Sequence, residues 1–180
     1  MGSLSGNRVR ASALTAGWNG PCHIKCLSIR LCPAVHPGVR RPRMPLDLTF
    51  LVGDSLAAVV PPPARFAAWK FRFSSGAEIT SECLWRIFAS DRICVTSEDH
   101  GQHFGLPEPV DACAQLRAMC AAKIESIVLP RGTSDLTLRF RDAAELQFIA
   151  TSGGYEAWQL RHPRAGLFVA QGGGTVCHVA

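Results

Sequence analysis

WKFRFSSGAEI at Trp69–Ile79 returns later in the chain as LTLRFRDAAEL at Leu136–Leu146. In both stretches apolar and polar residues alternate before a turn, and Arg72 and Glu78 of the first correspond to Arg139 and Glu145 of the second. Strict alternation is typical of a strand with one buried face, and a following Gly- or Asp-containing turn favours a hairpin. The repeat therefore predicts a duplicated β unit.

Further strands are predicted on either side of the two repeated stretches. In the first copy, Ser90-Asp91-Arg92 provides a turn between two apolar runs, and in the second His162–Gly166 does the same. The predicted strands are Thr49–Val60 (one strand or a pair), Trp69–Phe73, Ala77–Ser81, Leu84–Phe88, Ile93–Thr96, Ile124–Leu129, Leu136–Arg141, Glu145–Ile149, Tyr155–Leu160 and Leu167–Ala170.

One helix is predicted between the two copies, over Val110–Ala122. This Ala-rich stretch has no Gly, Pro or aromatic residue, and Asp111 lies where a helix dipole favours a carboxylate. Leu116, Met119 and Cys120 are expected to face the sheet. The predicted fold is α+β: a strand-rich domain built from two duplicated β meanders with one intervening helix.

Composition divides the chain into three parts. Residues 1–43 contain seven basic residues and no acidic ones, with no apolar periodicity. Residues 1–45 are therefore interpreted as a disordered basic tail, or as a wrongly assigned start that precedes a true initiator at Met44. Residues 46–172 form the single duplicated domain, and residues 173–180 are expected to be a flexible C-terminal tail.

Charge and cysteine content restrict the partners. The net charge of +5 comes from the tail, because the remaining 12 of 19 basic residues accompany all 14 acidic ones, for a net charge of −2. The folded part thus gives no support for nucleic-acid binding. The longest apolar stretch, residues 46–60, is interrupted by Asp47 and Asp54, which argues against a membrane span. Five cysteines within apolar runs favour a reducing, cytoplasmic location.

Two Glu/Trp pairs, Glu82 with Trp85 and Glu156 with Trp158, occur at matching places in the copies. If the halves are related by a pseudo-two-fold axis, two carboxylates could meet, as in glycoside hydrolases. The simpler interpretation is that the tryptophans anchor the core and the glutamates satisfy donors nearby. We favour packing, and no catalytic residue is assigned.

The loop SEDHGQH, residues 97–103, contains oxygen and imidazole ligands close together. Asp99, His100 and His103 could bind zinc or another divalent ion, and the alternative function is a small metal-assisted hydrolase that uses them. Their spacing does not match a zinc-binding helix, and Gly101 argues against helix here. A solvated polar loop is the simpler interpretation.

Four residues are the predicted contacts for a ligand or partner. Arg72 and Arg139 lie on polar strand faces and could bind a carboxylate or phosphate, although cross-strand pairing with Glu78 and Glu145 is the simpler interpretation. His103 and Tyr155 lie on loops that packing does not explain, and the Thr151–Gly154 segment before Tyr155 is an insertion expected to be flexible.

The segments FRFSSGAEITSECLWRI, EDHGQHFG and TSGGYEAWQLRHPRAG resemble the motifs of an uncharacterised family of small bacterial α+β domains. The resemblance covers about residues 48–172 and implies no catalytic activity or cofactor. At the level of the fold, such domains are similar to the immunity proteins encoded beside bacterial toxins. The prediction is a non-catalytic binding module whose partner is another protein or a small ligand.

Overall fold

The computed structural model describes residues 46–64 and 67–179, and within them the fold is strand-rich, with two sheets and one α-helix. The predicted N-terminal tail and the proposed start at Met44 lie outside the described residues. The strands are β1 (Leu56–Val60), β2 (Trp69–Phe73), β3 (Glu78–Ser81), β4 (Leu84–Ala89), β5 (Arg92–Thr96), β6 (Ile124–Val128), β7 (Leu136–Phe140), β8 (Glu145–Ile149), β9 (Trp158–His162), β10 (Gly166–Gln171) and β11 (Thr175–Val179).

All strand pairs are antiparallel, and each predicted hairpin forms. One sheet has the order β1-β2-β3-β9-β10-β11, and the other has the order β5-β4-β8-β7-β6. Each half of the chain contributes one hairpin to each sheet. The two strand orders are related by an exchange of β1 with β6, β2 with β7, and so on up to β5 with β10. This exchange changes the order β1-β2-β3-β9-β10 of the larger sheet into β6-β7-β8-β4-β5, which is the order of the smaller sheet read from its other edge.

The core lies between the two sheets. Along β2, buried and exposed residues alternate strictly, which confirms the predicted half-buried strand. The ring of Phe71 in the larger sheet meets Trp85 and Phe148 of the smaller sheet edge to face, with centroids 5.7 and 5.0 Å apart. Trp85 and Trp158 are both fully buried. Rings from both sheets therefore interdigitate in one apolar layer.

The helix α1, Ala112–Met119, is shorter at both ends than predicted. Asp111 is its N-cap, and the carboxylate accepts a hydrogen bond from the Ala114 amide at 3.1 Å. The helix packs against β1 and β5. Leu116 and Cys120 are buried and Met119 is half-buried, in agreement with the predicted inward face.

Three predicted elements differ from the structure: the strand predicted over Tyr155–Leu160 begins only at Trp158, and two others differ in type. Within the predicted strand Thr49–Val60, residues Thr49–Leu51 form a 3₁₀ turn, because the Asp47 carboxylate accepts hydrogen bonds from the Thr49 amide (2.8 Å) and hydroxyl (2.6 Å). The C-terminal tail expected to be flexible is instead the strand β11. A glycine turn reverses the chain there, and five consecutive residues pair with β10.

The register of the strands places the connections at two ends of the molecule. The tight turns 74–77, 90–91, 141–144 and 163–165 lie at one end. The opposite end, which we call the loop end, carries the connections 82–83, 97–111, 150–157 and 172–174. Most of the long connections are therefore presented on one surface by a rigid scaffold.

Candidate functional site

The chain passes from one sheet to the other twice, and the two crossings lie side by side at the loop end. The first crossing is only Glu82 and Cys83, and both of their amides donate to the carbonyl of Ala157 in the second crossing, at 3.0 and 3.1 Å. The Ala157 amide donates to Ala170 in β10 at 2.9 Å. Backbone hydrogen bonds thus fix the two crossings to each other and to the sheet.

A pocket of about 240 Å³ opens between these crossings. Glu82 belongs to one crossing and Glu156 to the other, so the two glutamates that the sequence pairs with tryptophans line the same pocket. The residues that line the pocket are Glu82, Cys83, Thr151, Ser152, Tyr155, Glu156 and Ala157. Its wall is largely polar, and it includes residues of the connection 150–157.

Tyr155 stands at this pocket with 78% of its surface exposed, the largest value among the big apolar side chains of the described residues. The hydroxyl oxygen of Ser152 accepts hydrogen bonds from the amides of Gly154 and Tyr155, each at 3.1 Å. Gly172 of the β10–β11 turn lies directly against Gly153 and Gly154, because a Cβ added to Gly172 would be 2.4 Å from the Gly154 nitrogen. The Thr151–Gly154 segment, which the sequence predicts to be flexible, is therefore braced by its own hydrogen bonds and by the glycine turn.

The two carboxylates differ in their contacts. Glu156 Oε2 accepts a hydrogen bond from Gln159 Nε2 at 2.9 Å. Within residues 46–64 and 67–179, no lysine or arginine nitrogen lies within the 4.0 Å of an ion pair from either Glu82 or Glu156. The pocket consequently has negative charge that the described part of the chain does not neutralise.

Cys83 contributes a thiol to the pocket wall but not a nucleophile. Burial raises the pKa of Cys83 above its ordinary value, and a hydrogen bond with the Ser81 hydroxyl, 3.4 Å from the sulfur, offsets only part of this. A raised pKa keeps the thiol protonated near neutral pH, whereas the thiolate is the reactive form. The arrangement does not activate this cysteine.

The three candidate metal ligands of the 97–103 loop contact different partners. Asp99 accepts a hydrogen bond from the Thr96 amide (2.7 Å), and His100 accepts one from the Ala112 amide at the start of α1 (3.3 Å). His103 Nδ1 lies 3.4 Å from the Leu106 carbonyl. In the described part of the chain, no group of three or more His, Cys, Asp or Glu side chains is arranged to hold a metal ion.

The same loop exposes two apolar side chains that no sequence pattern singles out. Phe104 is 69% and Leu106 is 55% exposed, and Phe104 has a left-handed backbone with φ 45°. Bulky residues rarely adopt this conformation, which costs about 1–2 kcal/mol. Hydrogen bonds between Gly101 and Val110 and between Leu106 and His103 hold the loop in place. The only signal in the sequence was an apolar pair between a glycine and two prolines.

Arg72 and Arg139 lie on the exposed faces of different sheets and contact the predicted acidic partners. Arg72 Nε is 2.8 Å from Glu78, and Arg139 Nε is 2.9 Å from Glu145. Glu145 also accepts a hydrogen bond from Gln147, whose side-chain oxygen accepts one from Arg86. The guanidinium groups are thus engaged within their own sheets, and neither arginine lines the pocket.

We expect Arg72→Ala to lower the free energy of unfolding by no more than about 1 kcal/mol, because exposed ion pairs contribute little. Arg139→Ala should lower the free energy of unfolding slightly more, because its partner Glu145 also accepts a hydrogen bond from Gln147. Urea denaturation of each variant measures both values. A loss of several kcal/mol from Arg72→Ala would contradict this assignment.

The described residues contain no helix with the length and hydropathy needed to cross a membrane. Trp85 and Trp158 are buried, so they anchor the core instead of forming an open aromatic cleft beside the glutamates. Comparisons with models of protein families, with curated proteins and with solved structures found no match.

Proposed function

We propose that this chain is a cytoplasmic, non-catalytic binding module of bacterial type that engages another protein through the loop end. One observation carries the proposal. The three most exposed large apolar side chains among the described residues, Tyr155, Phe104 and Leu106, all lie on the connections 97–111 and 150–157 of that end.

Contact of these apolar surfaces with water is unfavourable, and the packing of the domain does not require it. Aromatic residues on ordered loops are typical of protein interfaces, because they contribute a large contact area and lose little entropy on binding. Phe104 is moreover held in a strained backbone conformation with its ring in solvent. Strain of this kind concentrates at binding sites, where the partner benefits from a side chain already in position.

We further propose that the domain arose by duplication within the uncharacterised bacterial family that its motifs resemble. Two observations support this origin: the exchange symmetry of the strand order, and the recurrence of an Arg–Glu ion pair six residues apart in each half. In such a protein the two crossings are equivalent elements that meet near a pseudo-two-fold axis. The insertion before Tyr155 in the second half then distinguishes the binding surface from a symmetric scaffold.

The proposal is tested by affinity capture from native lysate with the full chain as bait, followed by reconstitution with the purified partner. We expect the double variant Phe104→Ala/Tyr155→Ala to bind the purified partner at least about tenfold more weakly, because interface aromatics dominate binding energies. Its melting temperature should stay within about 2 °C of the original, since surface substitutions have small effects on stability.

Ile93→Ala is the matched control for this experiment. Ile93 is 50% exposed but lies beside the β4–β5 turn, at the end opposite the loops. Its substitution should leave binding unchanged. The proposal fails if Ile93→Ala weakens binding as much as the double variant, or if the double variant binds like the original chain.

A further inference from the structure

We propose that the pocket between the two crossings binds a positively charged organic group, the guanidinium or ammonium of a basic side chain that the partner presents. This inference rests on the proposed function and specifies the chemistry that the loop end recognises. Glu82 and Glu156 would face the cation from the two crossings, and Tyr155 would cover it.

The charge of the pocket selects a cation. Glu82 and Glu156 come from different crossings, and the described residues supply neither of them with an ion-pair partner within 4.0 Å. By contrast, Glu78 and Glu145 on the sheet faces are each paired with an arginine. An anionic group would be repelled here, whereas a guanidinium is attracted and offers several N–H donors to carboxylate oxygens.

The exposed ring of Tyr155 makes an organic cation fit better than a metal ion. An aromatic face attracts an ammonium or guanidinium placed within about 6 Å of its centre. Calcium and magnesium prefer six or more oxygen ligands in a closed shell, and no three His, Cys, Asp or Glu side chains among the described residues are arranged to hold a metal ion. The hydroxyl group of Thr151 provides a further acceptor in the wall, whereas the Ser152 hydroxyl oxygen already accepts two backbone hydrogen bonds.

The size of the pocket indicates a single side chain. Its volume of about 240 Å³ is below the roughly 300–1,000 Å³ typical of pockets for drug-sized ligands. A basic side chain entering from a bound protein surface would fill it while the partner contacts Phe104 and Leu106. The pocket would then provide specificity, and the apolar loop residues would provide most of the contact area.

The test is a titration of the full, isotope-labelled chain with the peptide acetyl-Gly-Arg-Gly-amide, followed by nuclear magnetic resonance. The comparison peptide replaces arginine with citrulline, which has nearly the same shape and no charge. We expect the arginine peptide to shift the resonances of residues 82–83 and 151–157 selectively, and to bind more weakly as salt is raised. The citrulline peptide should bind at least about fivefold more weakly, as expected for the loss of an exposed charge interaction.

Three single variants and one double variant complete the test. Glu82→Gln and Glu156→Gln should each weaken arginine-peptide binding by about twofold to fivefold, and together by about tenfold. Glu108→Gln removes an equal charge from the 97–111 loop, outside the pocket lining, and should have no effect. Equal binding of both peptides, or equal effects of all three variants, would overturn the inference.

The two proposals fail in different ways. If the arginine peptide binds as described but Phe104→Ala/Tyr155→Ala does not weaken partner binding, the pocket chemistry stands and the proposed function is wrong. If partner binding depends on Phe104 and Tyr155 while Glu82→Gln and Glu156→Gln leave it and the peptide titration unchanged, only the cation site is wrong.

Discussion

Replacement of Gly174 by alanine is expected to lower the free energy of unfolding by more than about 3 kcal/mol, a large share of the 5–15 kcal/mol typical of a domain. A Cβ on Gly174 would lie 2.2 Å from the carbonyl oxygen of Gly132 and 2.9 Å from the Thr133 nitrogen. These are backbone atoms, so the clash cannot be relieved by rotating a side chain. Chemical denaturation measures the loss directly.

Gly101→Ala is the control that separates the clash from backbone strain. Gly101 and Gly174 share the same left-handed φ of 79°, but nothing lies within 4 Å of a Cβ at Gly101. Its substitution should therefore lower the free energy of unfolding by only about 1–2 kcal/mol, because an alanine is strained in a left-handed backbone conformation. Equal losses in the two variants would show that the close contact at Gly174 does not exist in solution.

The same turn connects stability to the pocket. Gly172 has an ordinary φ, yet its Cβ would be 2.4 Å from the Gly154 nitrogen, so Gly172→Ala acts through the clash alone. Relief of that clash must move either the turn or the insertion that carries Tyr155. The glycine-rich sequence after β10 is consequently a packing surface for two loops, although by composition it resembles the start of a loose tail.

Local features of the fold were predictable because they depend on neighbours in sequence. Alternation in residues 69–73 and 136–140 predicts half-buried strands, and the short polar turns predict hairpins. The partition of each half between two sheets was not predictable, since a two-residue crossing at Glu82 and Cys83 looks like another turn. Strand β11 was missed because its existence depends on the edge that β10 offers, a contact that composition does not reveal.

The candidate site was predictable only in part. The matching positions of Glu82 and Glu156 suggested that symmetry could bring them together, and the structure places both at one pocket. Tyr155 was a predicted contact because no core position accounts for its side chain, which is 78% exposed in the structure. The exposure of Phe104 and Leu106 was not foreseen, because apolar residues in a sequence are normally assigned to the core. Their large exposed fractions in the folded loop show that they point outward.

The paired tryptophans provide the second large effect. Trp158→Phe is expected to lower the free energy of unfolding by about 1–3 kcal/mol more than Trp85→Phe does. The reason is that only Trp158→Phe removes an indole that donates a hydrogen bond within the described residues. Trp158 Nε1 donates to the carbonyl of Ser134 at 2.6 Å, and Ser134 is buried, so a phenylalanine leaves this carbonyl without that donor. Trp85 Nε1 is equally buried but has no acceptor among the described residues. Both substitutions create a similar cavity, which cancels in the comparison.

Urea denaturation of the two variants measures the difference, with equal slopes as the check that both unfold from the same state. If Trp85→Phe proves as costly as Trp158→Phe, the Trp85 indole must have an acceptor in solution, for which an ordered water is the simplest candidate.

The expected asymmetry has a consequence for the binding surface. Ser134 also donates to the Gln171 carbonyl at 2.8 Å, next to the glycine turn that supports the Tyr155 loop. Trp158 therefore anchors the loop end as well as the core, and its loss should weaken binding of the arginine peptide while that of Trp85 should not.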